Sequence, residues 1–109
     1  MARVVAFIPD LLFGSAVLSA LQQAGHEVEL RADVDGPVLA DLLVVDLTAE
    51  PDARIERART AGVPRLAFYS HVEPEVRARA EAAGFELVVP RSRMAREGAA
   101  LAERLLRGE

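Results

Sequence analysis

The chain has no cysteine and no lysine, so all thirteen of its basic residues are arginine. Without thiols there is no disulfide framework, no thiolate nucleophile and no cysteine-based zinc site, which fits a reducing compartment. Without lysine, any site that needs a permanent cation must use arginine, a planar fork on a longer arm than an ammonium. Positive charge is also short, since thirteen bases against seventeen acids leave a formal net charge of −4. That balance argues against a general nucleic-acid binder, whose affinity rests on neutralising phosphates. No apolar run is long: the first is ended by Pro9 and Asp10, well before the length of a signal segment or membrane span. The two histidines, His26 and His71, are too few and too separated for a metal cluster, and Ser70 beside His71 is not a catalytic dyad by adjacency. A glycine-rich phosphate loop is missing as well, because Phe13-Gly14-Ser15 holds one glycine inside a helical pattern. These absences lead to the expectation of a cytoplasmic protein with neither nucleic-acid nor membrane partners.

What is present is a 109-residue chain, 51% apolar, enough for one core and one domain over residues 1–109. The bias to Ala, Val, Leu and Arg is what a GC-rich genome produces. Five short apolar runs, Arg3 to Ile8, Glu27 to Arg31, Leu42 to Leu47, Arg65 to Tyr69 and Glu86 to Val89, alternate with helix-like stretches. Repeated βα units around a parallel sheet follow from that alternation. Runs one, three and four are almost wholly apolar, as strands covered on both faces are, while Glu27-Val28-Glu29-Leu30-Arg31 alternates like an edge strand.

In the first helical stretch Phe13, Val17, Leu21 and Ala24 share a face, and Gly25 stops it. A further helix is expected over Glu50 to Ala61 before Gly62, another from Pro74 to Gly84, and a last one capped by Ser92. Only Ala32 to Asp41 join the second and third runs, too short for an ordinary crossover, so the second helix is shortened or missing.

In an open parallel sheet ligands bind beyond the carboxyl ends of the strands, beside the point where strand order reverses. That rule selects Pro9 and Asp10, Asp46 and Thr48, Ser70 and His71, and Pro90, Arg91 and Ser92. If the strand order is 2-1-3-4-5, the reversal lies between strands one and three and brings Asp10 and Asp46 together, with Ser70 and Arg91 alongside.

Three segments carry a family resemblance. Asp41-Leu42-Leu43-Val44-Val45-Asp46-Leu47, Pro64-Arg65-Leu66-Ala67-Phe68-Tyr69-Ser70 and Ala82-Ala83-Gly84-Phe85-Glu86-Leu87-Val88-Val89-Pro90-Arg91-Ser92 agree in order and spacing with strands three, four and five of a response-regulator receiver domain. The chain resembles this CheY-like, flavodoxin-like class over essentially its whole length. The resemblance implies a doubly wound five-stranded α/β fold, puts Asp46 in the place of the phospho-accepting aspartate, and makes Ser70 the residue that senses the pocket's occupant.

It also exposes departures. Receivers end their first strand with an acidic pair that binds Mg²⁺, and here Ile8 and Pro9 fall in that place, with Asp10 one residue late. Asp10 and Asp46 together offer Mg²⁺ only a weak site, and then only if the loop turns Asp10 back. Arg91 stands where receivers hold the phosphoryl group with lysine, and Leu87, Val88 and Val89 occupy the strand that carries the family's switching aromatic.

Asp46 is therefore a nucleophile, a metal ligand, or half of an ion pair with Arg91, and Asp10 is a metal ligand or the N-cap of the helix after it. Ser70 is a sensor or a strand-end residue bonding its own backbone. Arg77, Arg79, Arg91, Arg93 and Arg96 form a basic face or pair with Glu75, Glu81 and Glu97. The leading expectation is a receiver-like interaction module with a degenerate phosphorylation site. It would act on protein partners, with a homodimer through the face formed by the helix after Pro74, the fifth strand and the last helix. The alternatives are a phospho-accepting receiver using Asp46 with Mg²⁺, and a small-molecule binder at the strand-end crevice.

Overall fold

The computed structural model describes residues 2–34 and 38–108. Its elements in chain order are β1 (Arg3–Phe7), α1 (Leu11–Gln23), β2 (Glu27–Arg31), β3 (Leu42–Asp46), α2 (Pro51–Ala58), β4 (Arg65–Tyr69), α3 (Glu75–Ala82), β5 (Leu87–Pro90) and α4 (Arg91–Leu106). The strands form one parallel sheet in the order β2-β1-β3-β4-β5. This is the expected doubly wound arrangement, and β2, partly exposed along its length, is an edge as its alternation requires.

Side chains two apart on a strand share a face, so each strand feeds two cores. Val4, Ala6, Leu42, Val44, Leu66 and Phe68 pack under α1 and α4, with Val17, Leu21, Met94 and Leu101. Val5, Phe7, Leu43, Val45, Ala67 and Tyr69 pack under α2 and α3, with Ile55, Val76 and Ala80. Gly14 has a packing reason rather than a phosphate: a Cβ there would lie 3.1 Å from both methyls of Leu30, so glycine lets α1 lie close on β2. Gly25, at φ +94, closes α1 with the Gly25 and His26 amides donating to the carbonyls of Gln22 and Leu21.

No helix lies between β2 and β3 among the described residues; the expectation of a shortened second helix otherwise falls on positions 35–37, which lie outside them. Two helix boundaries differ from expectation. The stretch from Glu50 to Ala61 is helical only over Pro51–Ala58, because Arg59 and Ala61 already make three-residue turns to Glu56 and Ala58. Ser92 does not cap α4, because the helix starts at Arg91. β5 runs into it without a linker, and the extended backbone of Pro90 (φ −62°, ψ 150°) occupies the N-cap with no side-chain bond. No helix among the described residues is long and apolar enough to cross a membrane.

Candidate functional site

Four strand ends meet at the carboxyl edge of the sheet around a crevice of about 360 Å³ lined by Asp10, Asp46, Thr48, Ser70, His71, Glu73, Pro90, Arg91 and Ser92. Of the residues selected from the strand-end rule, all but Pro9 line it together. Ile8, in contrast, is buried in the α1-side core, and its amide extends the ladder by donating to Arg31 O at 2.8 Å. It is packing, not pocket.

Asp46 closes β3 and is only 4% exposed. Its Oδ1 accepts from the Thr48 amide at 2.8 Å and from the Thr48 hydroxyl at 2.6 Å, a local turn that fixes the carboxylate where the strand ends. Oδ2 accepts no hydrogen bond from any described residue. Ser70 is half-buried at the end of β4, and its Oγ accepts from the Val72 amide at 3.4 Å, the local strand-end bond.

Arg91 corrects the expected ion pair. Its guanidinium donates to Asp10 Oδ2 at 3.2 Å and makes no salt bridge with Asp46. The physical reason is Phe13: the guanidinium carbon lies 4.3 Å from the centre of that ring, which turns the side chain toward the start of α1 and away from the recessed Asp46. Phe13 is itself held by Phe68, with ring centroids 5.0 Å apart.

Asp10 takes the N-cap role, with Oδ1 accepting from the Leu12 and Phe13 amides at 3.0 and 3.1 Å. Both its oxygens are committed, one to the helix and one to Arg91. As arranged, the donor set does not fit a magnesium centre, because a metal would have to take Asp10 from Arg91 or from the helix it caps. Asp10→Ala is expected to cost about 1–2 kcal/mol in urea unfolding, whereas Asp10→Asn, which keeps a capping oxygen and loses an exposed ion pair, costs about 0.5 kcal/mol or less.

Two buried arginines escaped the sequence reading. Arg54 of α2 reaches under the site, donating to Phe7 O, Asp46 O and Ala32 O at 3.4, 3.5 and 3.2 Å, while its Nε is buried without a partner. Nearby Asp33 has its carboxyl held below the usual range, first by the Val34 amide and then by Arg57. Arg65 lies at the opposite end of the sheet. The available signal for Arg54 was periodicity, since it shares a helical face with the buried Ala58. His26 packs against Glu103 and accepts from the Ala2 amide, away from the crevice. Arg77, Arg93 and Arg96 pair with Glu81 or Glu97 as expected, but Arg79 reaches across to Asp52 of α2.

No family model matches the chain, and no curated protein matches it in sequence. Solved structures do. A Francisella response-regulator receiver domain superposes with a TM-score of 0.84 at 11% identity, covering 99% of this chain and 98% of its own. A CheY-like receiver domain protein from Methanospirillum hungatei gives 0.81 at 13%, over 99% and 95%. The signal receiver domain of the response regulator NarL from Mycobacterium tuberculosis gives 0.79 at 19%, over 99% and 98%. The chain has the CheY-like receiver fold.

Proposed function

We propose that this protein is a receiver-like signalling module whose phosphorylation site is degenerate, acting through contacts with other proteins or with a second copy through the face of α3, β5 and α4. The observation that carries this reading is the commitment of Asp10: one oxygen caps α1 and the other pairs with Arg91, so neither is left to neutralise a phosphoryl group through a metal. Phosphoryl transfer depends on positioning and on that neutralisation. One observation favours the alternative of a phospho-accepting receiver, namely that Asp46 lines the crevice with Oδ2 free of hydrogen bonds.

Beryllofluoride with Mg²⁺ separates the two. In ¹⁵N–¹H spectra the amides of Asp46, Thr48 and Ser70 are expected to stay in place through the titration. A saturating shift centred on those residues supports the alternative.

A further inference from the structure

We propose that the mouth of this crevice is a docking surface of its own, and that it receives a partner protein segment carrying one arginine or lysine flanked by apolar residues. The cation would meet Asp46 Oδ2 and the apolar neighbours would cover Leu11, Leu12 and Val72. This rests on the reading above that Asp46 carries no phosphoryl group.

Two independent observations converge on it. The first is charge. Three carboxylates, Asp10, Asp46 and Glu73, line the crevice with one guanidinium, Arg91, which is paired with Asp10, while the buried Arg54 beneath is turned to backbone carbonyls. Neither Asp46 nor Glu73 has a cationic side-chain partner among the described residues, and Asp46, nearly buried, keeps one oxygen free. A recessed carboxylate of this kind repels anions and favours a cation that donates hydrogen bonds, and such charge-assisted bonds are among the strongest in proteins.

The second is the apolar rim. Among the described residues the large hydrophobic side chains left exposed are Leu11 (76%), Leu12 (86%), Leu39 (87%) and Val72 (72%). Three of these four are chain neighbours of crevice residues: Leu11 and Leu12 follow Asp10, and Val72 lies between His71 and Glu73. Exposed leucines scattered singly need no explanation, but this clustering around a polar centre has the layout of a protein interface, an anchoring pocket ringed by contacts that exclude water. A bare metal ion would leave the rim uncovered, and a free anion would meet the wrong charge.

The test is selection of a random-peptide phage library on the immobilised full chain, counter-selected on Asp46→Asn. The strongest peptide is then synthesised beside a counterpart with citrulline or norleucine in place of its cation. Enriched peptides are expected to carry one Arg or Lys between apolar residues. Affinity should fall about tenfold or more for Asp46→Asn and for the neutral counterpart, and it should fall again for Leu12→Asp. Circular dichroism confirms that each variant is folded, and Glu73→Gln serves if Asp46→Asn is not. Acidic or purely apolar peptides, no enrichment over the counter-selection, or sedimentation showing that Leu12→Asp dissociates a dimer of this chain would each overturn the proposal. Labelling by acetyl phosphate would instead overturn the reading beneath it, and the two failures are read in different experiments.

Discussion

Arg65→Ala is expected to lower the free energy of unfolding by about 3 kcal/mol, a large share of what a domain of this size commonly holds. Arg65 is buried at the first position of β4. Its guanidinium donates to Ala58 O at 3.4 Å and Arg59 O at 2.6 Å at the end of α2, and to Gly84 O at 2.6 Å after α3. It also pairs with Glu86 and lies 5.1 Å from the centre of the Phe85 ring. One side chain thus closes the carboxyl ends of two helices against the sheet. Glu86 is exposed enough to rehydrate when its partner is removed, so the expected loss comes from the carbonyls left without donors and from the packing of the long stem. Arg65→Lys should recover less than half, because one ammonium cannot span acceptors on both helices. Urea unfolding reads the difference, and the melting temperature should fall by about 10–20 °C. A loss below about 1 kcal/mol would show that water replaces the guanidinium.

Phe68→Ala is expected to cost about 3–5 kcal/mol. Phe68 is fully buried near the carboxyl end of β4, paired through its strand with Asp46 and Val89. Its ring supports Phe13, and Phe13 supports Arg91, so the cavity lies at the base of the chain of contacts that turns Arg91 to Asp10. Two effects should therefore appear together in a variant stable enough to study. Phe68→Leu should lose about 1–2 kcal/mol, and the Arg91 side-chain NH resonance should move toward that of a free guanidinium. Loss of stability with Arg91 unmoved would show that the guanidinium is placed by Asp10 alone.

Which strands lie inside the sheet was legible, because strands covered on both faces must be apolar throughout and β1, β3 and β4 read that way while β2 alternates; the full order is what the resemblance to receivers implied. The strand ends were not legible. Ile8 and Leu47 lie beyond β1 and β3 yet are almost wholly buried, so apolarity continues past the ladder and does not mark where it stops. The members of the site could be named from the strand-end rule, but their pairings depended on tertiary placement. Asp46 next to Arg91 is the natural guess from charge, and only the position of the Phe13 ring, set by Phe68 in another strand, sends Arg91 to Asp10. The buried arginines were hidden for a similar reason. Arg54 in an amphipathic helix reads as surface and Arg65 as the charged end of an apolar run, and both are inside because strand-end and helix-end carbonyls from distant parts of the chain meet there as acceptors.

Intact mass after incubation with acetyl phosphate and Mg²⁺ tests the central claim most directly. The protein is expected to keep its unmodified mass, and Asp46→Asn to keep its own. Stoichiometric gain of one phosphoryl group that disappears in Asp46→Asn would contradict the account and make Asp46 a working acceptor.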